Sequence, residues 1–201
     1  MNDRIYLAGP EVFLPDAKEI GARKKAICRA HGLEGLYPAD PEIKDQASLE
    51  PFEVARRIYA NNLELMDSCA GVIANLTPFR GVSMDAGTAF EVGYMAASKR
   101  LVLGYTNVTA NYQERSASYY AAGIAPLVDP FTAGTAIEDF GLAENLMIEL
   151  AVRNCRAEIV VSQVEPGTEL TSFAGFEKCV ALARRLLDEA AAGRTIGPST
   201  R

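Results

Sequence analysis

The sequence predicts an α/β fold: a doubly wound parallel sheet of five strands in a single domain. Two observations predict it. Short apolar runs alternate along the chain with longer segments of helical periodicity, an order that builds a parallel sheet covered on both faces. The 201 residues, 49% apolar and 23% charged, are enough for one full core, and no linker, repeat or low-complexity tract interrupts them. The domain is expected to run over residues 1–192, with 193–201 as a frayed tail.

The first strand is Arg4–Ala8, stopped by Gly9-Pro10. A loop through Glu11–Pro15 leads to Asp16, which caps a helix ending near Gly32. Leu36-Tyr37-Pro38 reads as a short second strand. Residues 39–48 are polar and aperiodic, a loop near the ligand end. A helix over about Phe52–Ser68 carries Val54, Ile58, Leu65 and Cys69 at helical spacing. Asn62 falls on the same stripe, either as a satisfied buried amide or as a group that reaches a ligand. Val72–Leu76 and Arg100–Tyr105 are the third and fourth strands, with a helix capped by Asp85 between them. Residues 107–122 are polar and aromatic, a partly helical lid or an insertion. A helix over Ala143–Asn154, a fifth strand over Ala157–Val161 and an amphipathic helix over Phe173–Ala192 complete the order.

Composition narrows the function. A net charge of −6 argues against nucleic acid or an anionic membrane as partner, and leaves room for a small neutral ligand such as a sugar or nucleoside. Cys28, Cys69, Cys155 and Cys179 are scattered without C-x-x-C spacing, so free packed thiols are expected, with no metal and no cofactor. The chain enters a strand almost at once and has no apolar run of membrane-spanning length, which suggests a cytoplasmic setting. The sequons at Asn75 and Asn107 are idle there. His31, beside Gly32, reads as a solvent-facing helix end, and Arg23-Lys24-Lys25 as a solvated helix face. Gly81–Gly87 matches neither a dinucleotide fingerprint nor a P-loop, and no G-x-S-x-G elbow occurs.

The chemistry concentrates between Met84 and Ser98, where Glu91 is the only charge after Asp85. Small residues at 86, 87, 89 and 93 let this helix approach the sheet and set Glu91 among apolar neighbours, where an unpaired carboxylate is costly. Two carboxylates so placed suit glycosyl transfer, one attacking an anomeric carbon and the other orienting the sugar. The plain alternative is that Asp85 caps the helix and Glu91 pairs with Arg80 or Arg100. The helix N-terminus favours an ionised Glu91, and burial and Asp85 oppose it. Tyr6 and Phe13 read either as core residues or, at a strand end beside an acid, as part of a site. The loops after Ala8 and Asn75 and the Asp85–Glu91 turn all fall at the carboxyl edge of the sheet, where such folds bind ligands.

Ile5–Pro10 with Phe13, Asp67–Asn75, Pro78–Gly81, Asp85–Gly93 and Asn145-Leu-Met147 together resemble the nucleoside 2-deoxyribosyltransferase family, over roughly Arg4–Val161. The resemblance implies a flavodoxin-like fold and transfer of 2-deoxyribose between nucleobases through a covalent glycosyl-enzyme. It makes Glu91 the nucleophile, Asp85 the carboxylate that holds sugar hydroxyls, and Tyr6 the residue that positions Glu91. Phe13 becomes a wall of the base pocket, with Gly9, Phe79, Arg80, Gly87 and Met147 completing the substrate-binding set. Asn145 resembles a residue lent by a neighbouring subunit, so a homo-oligomer is implied, with 2′-deoxynucleosides and free nucleobases as small-molecule partners. Asn62 stands where many members carry an Asp that contacts and helps protonate the base; an amide hydrogen-bonds a base edge but is no acid. The competing readings are a nucleoside 5′-monophosphate N-glycosidase, whose branch typically has Ser at the position of Asp85, and a non-catalytic nucleoside- or nucleotide-sensing module.

Overall fold

The computed structural model describes residues 2–38, 40, 43, 45–122 and 136–193. Five parallel strands, β1 (Arg4–Ala8), β2 (Glu34–Leu36), β3 (Gly71–Asn75), β4 (Leu101–Thr106) and β5 (Val160–Val161), lie in the order β2-β1-β3-β4-β5. The helices are α1 (Ala17–Ala30), α2 (Pro51–Ser68), α3 (Ala86–Ala97), α4 (Tyr112–Ala121), α5 (Leu146–Arg153) and α6 (Ala174–Ala191). α1 packs against α6 on one face of the sheet, and α3 against α5 on the other. Every residue of β3 and β4 is buried, as strands covered on both sides require. The order reverses between β1 and β3, so their carboxyl ends open the crevice in which doubly wound folds bind ligands.

Most boundaries fall within one or two residues of the sequence reading, the usual scatter. The second strand departs from it, lying at Glu34–Leu36 and not Leu36–Pro38. Its parallel register starts at Arg4↔Glu34, a pair that also forms an ion pair at 2.9 Å. Pro38 has no N–H to give a ladder, and Tyr37 leaves the strand to pack on Gly21, where an added Cβ would lie 2.6 Å from its ring. The fifth strand shrinks to Val160–Val161, the two residues that pair with Tyr105 and Thr106 of β4. Residues 107–122 contain α4, opened by a capping box between Asn111 and Glu114. The expected frayed tail, from residue 194 on, lies outside the described residues, as does part of the 39–48 loop. All four cysteines are free and buried, and no helix among the described residues is long and apolar enough to cross a membrane.

The expectation that Arg23-Lys24-Lys25 forms a solvated face holds for the exposed Arg23 and fails at Lys24. Lys24 lies on the inward stripe of α1 with Ile20, Gly21 and Cys28, and is 1% exposed. Its Nζ donates to Oε1 of the equally buried Glu11, on the 3-10 turn Pro10–Phe13. The same oxygen accepts from Asn75 Nδ2 at 2.9 Å and from the Tyr105 hydroxyl at 3.0 Å. One charged pair thus joins the β1–α1 turn, α1 and the carboxyl ends of β3 and β4. The flanking residues are also engaged: Arg23 lies 4.5 Å over the Phe173 ring and Lys25 pairs with Asp40 at 2.6 Å.

Removing one partner of a buried pair strands the other charge. Lys24→Met should therefore lower the unfolding free energy by about 3–5 kcal/mol. Adding Glu11→Gln should recover part of that loss, as read from urea denaturation.

Candidate active site

A cavity of about 650 Å³ opens at the carboxyl edge of the sheet, over the β1/β3 switch. The β1–α1 turn contributes Gly9 and Phe13, α2 contributes Asn62, and the N-terminal half of α3 contributes Gly87, Glu91 and the capping residue Asp85. The volume suits a ligand of nucleoside size. Gly9 is required there, because a Cβ would lie 2.0 Å from Glu11 Oε2 and 2.9 Å from Asn75 Cβ.

Tyr6, fully buried in β1, donates its hydroxyl to Glu91 Oε1 at 2.6 Å. Burial pushes the Glu91 carboxyl from 4.5 up to about 7; the Tyr6 hydrogen bond opposes this and the nearby Asp85 charge adds to it. Burial beside Glu91 also raises the Tyr6 hydroxyl, which stays a donor. Of the opposing influences that the sequence placed on Glu91, burial prevails. The alternative ion pair is absent. Arg80 lies over the rings of Phe13 and Phe79, at 4.9 and 4.6 Å, and Arg100 bonds the Asp67 carbonyl at 3.3 Å. Asp85 does cap α3, its Oδ2 accepting from Gly87 N at 2.9 Å and Thr88 N at 3.3 Å. Oδ1 takes no part in the cap, and the residue also borders the cavity.

The remaining residues divide into those on the cavity wall and those near it. Phe13 borders the cavity and stacks on Phe79 at 5.6 Å and 10°. Phe79 and Arg80 form a layer behind Phe13, outside the wall itself. Asn62 borders the cavity with its Oδ1 buried and without a partner among the described residues. It also borders a second, apolar cavity of about 460 Å³ between α2 and α3, beside Tyr59 and Phe90; Glu91 borders both. Asn145 and Met147 are not brought to this cavity. Asn145 caps α5, accepting from Met147 N at 3.0 Å and donating to Glu138 at 2.9 Å, and Met147 is 72% exposed.

Sequence reasoning missed three polar wall residues, Thr88, Gln46 and Lys18. Thr88 shares the inner face of α3 with Glu91, three positions on, and its buried Oγ1 has no partner among the described residues. That helical offset was the available signal. Gln46, from the aperiodic loop, and Lys18, from the first turn of α1, had none. No group of three or more His, Cys, Asp or Glu among the described residues is placed to hold a metal ion.

The sequence model of the nucleoside 2-deoxyribosyltransferase family matches residues 5–147. The chain belongs to that family. A curated relative, an uncharacterized protein of Schizosaccharomyces pombe, is 34% identical over 161 residues, covering 74% of this chain and 76% of its own length. Among solved structures, a 2-desoxiribosyltransferase from Leishmania mexicana is 27% identical with a TM-score of 0.56, covering 89% of this chain and 97% of that one. A conserved protein from Enterococcus faecalis, 17% identical with a TM-score of 0.54 over 92% of this chain and 98% of its own, shares the fold. Within the family match lie Tyr6, Asp85 and Glu91, the three groups that the geometry brings together.

A carboxyl held near 7 has a consequence for stability. Between pH 4.5 and about 7 the folded protein keeps a proton that the unfolded chain has released, so stability is lost as pH rises through that window. Glu91→Gln, which retains an acceptor for Tyr6, should therefore be the more stable protein at pH 8, by on the order of 2–3 kcal/mol. The difference should fade below about pH 5 in parallel chemical denaturations.

Proposed function

We propose that this protein transfers 2-deoxyribose between nucleobases by a retaining double displacement, with Glu91 as nucleophile. One observation carries the reading: a half-buried carboxylate in a nucleoside-sized cavity, bonded by a tyrosine hydroxyl and paired with no cation among the described residues. Glu91 attacks C1′ as the C1′–N bond breaks, through an oxocarbenium-like transition state, and the base departs with the bonding pair. A second base then displaces Glu91 from the face the first one left, restoring configuration. The departing base gains one proton and the entering base loses one, so the cycle balances. Water can take the acceptor's place, which gives slow hydrolysis. The missing 2′-hydroxyl favours this chemistry, since positive charge develops more easily at C1′.

In this reading Tyr6 orients Glu91 and favours its ionised form, and Asp85 Oδ1 is available to sugar hydroxyls. Phe13, backed by Phe79 and Arg80, offers a face for the base to stack on. Gly9 and Gly87 leave room for close approach, and Asn62 hydrogen-bonds the base edge. Asn145 and Met147, at the start of α5 and off the wall of their own cavity, complete the site of a neighbouring subunit in a homo-oligomer. The carboxylate at 85 disfavours a 5′-phosphate dianion, so the unphosphorylated nucleoside is the substrate.

Mass spectrometry of the protein incubated with deoxyinosine and no acceptor should find a deoxyribosyl ester on the peptide containing Glu91. Glu91→Ala should abolish the adduct and lower base exchange by more than about 10⁴-fold. Exchange at full rate in that variant, or clear preference for deoxyinosine monophosphate, would remove the assignment.

The nucleophile must be ionised, so kcat/KM should rise with pH through about 7. Tyr6→Phe removes a bond that favours the ionised form. It should move this rise to higher pH and lower the plateau by about 10–100-fold. An unmoved profile would deny Tyr6 its role.

A further inference from the structure

The cavity is charged unevenly. Its carboxylates, Asp85 and Glu91, belong to α3, on one face of the sheet. The one cationic wall residue among the described residues, Lys18, belongs to α1, on the other face, five positions beyond the base-stacking candidate Phe13. Lys18 makes no ion pair among the described residues, unlike Lys24 and Lys25 further along the same helix. Its position is also unfavourable for the helix: a cation in the first turn opposes the macrodipole. Neither capping nor pairing accounts for a lysine at this place. Asn62 sharpens the point, because an amide at the α2 wall leaves the ammonium uncancelled and offers the departing base no proton.

We infer that Lys18 is a specificity-determining residue that selects nucleobases presenting a carbonyl oxygen on the edge away from the sugar. This rests on the deoxyribosyl-transfer reading. An ammonium only donates, so it pairs with the oxo edge of hypoxanthine, guanine, thymine or uracil. The exocyclic amine of adenine or cytosine meets it donor to donor. As C1′–N breaks, the bonding pair passes to the base and delocalises onto that oxygen, where the Lys18 N–H bond strengthens as charge develops. Asn62, Gln46 and Thr88, each with both a donor and an acceptor, serve either class of base. Discrimination therefore falls to Lys18.

The test compares kcat/KM for deoxyinosine and thymidine with deoxyadenosine and deoxycytidine as sugar donors, in the wild-type protein, Lys18→Gln and Lys18→Arg. Binding of free hypoxanthine and adenine, measured by calorimetry, accompanies it. Lys18→Gln should lose about 10–100-fold on the oxo-base donors and on hypoxanthine affinity, with little change for the amino bases. Lys18→Arg should restore most of the loss. Lys18 is exposed, so Lys18→Gln should melt no lower than the wild type. Equal losses on both base classes, or none, would overturn the inference and leave deoxyribosyl transfer standing. A loss confined to 5′-monophosphates would move Lys18 to a phosphate and overturn it too. A wild-type protein that cleaves no deoxynucleoside would overturn the underlying reading and this inference with it.

Discussion

The buried Glu11–Lys24 pair is the constraint on which the ligand end depends. Two charges out of water persist only where other bonds satisfy them, and here Asn75 and Tyr105 close on the same carboxylate oxygen. Those four residues come from the turn after β1, from α1 and from the ends of β3 and β4, so the pair fixes how these segments meet. It also dictates their small residues. Gly9 must lack a side chain because the Glu11 carboxylate occupies that space. Asn75 both reaches Glu11 and accepts from Thr77 N at 3.0 Å, which sets the direction of the loop toward Phe79 and Arg80. The rim of the cavity is thus held from below by electrostatics as well as by strand pairing.

A second, half-buried acid sits on this platform under opposite conditions. Glu11 is neutralised by a lysine, whereas among the described residues Glu91 is bonded only by a neutral hydroxyl. For the proposed reaction the difference matters: a carboxylate locked by a cation is a poor nucleophile, and one held by tyrosine remains available. The protein carries a cost in stability at neutral pH for that availability, the usual relation between a reactive site and the fold that holds it. A further buried pair, Arg115–Glu144 at 2.8 Å, ties the same rim to the start of α5. Arg115 also bonds the carbonyls of Val82 and Ala143, and Glu144 accepts from Ser83. The loop that ends at Asp85 and the turn that carries Asn145 are thereby one mechanical unit.

What the sequence made legible follows from how each signal is encoded. Strand and helix order was readable because β3 and β4 are continuous apolar runs and α2 and α6 keep helical periodicity. Asp85 and Glu91 were readable because charge is absent around them. Lys24 was not, since a lysine between Arg23 and Lys25 is indistinguishable from a surface residue until its partner is known. That partner, Glu11, lies 13 positions away on a turn without periodicity. The second strand was misplaced because Tyr37, as apolar as a strand residue, is buried by packing on Gly21 and not by pairing. Lys18 escaped for a related reason: the sequence shows that a lysine follows a cap, but only the topology shows that α1 delivers it to the crevice opposite α3.

That topology gives the cavity a polarity matched to the bond proposed to break. In glycosyl transfer positive charge gathers at the sugar and negative charge on the leaving base. Here the carboxylates border the cavity from α3, the lysine from α1 and an amide from α2. Such an arrangement stabilises separated charge more than it stabilises the neutral nucleoside, which is what raises a rate and not merely an affinity. An Asp at 62 would supply its own proton and would also cancel the nearby cation. With an Asn there, the role inferred for Lys18 gains its importance. The departure at 62 and the unpaired Lys18 are therefore two halves of one solution: a chain that gives up an acid at the base keeps a fixed positive charge beside it.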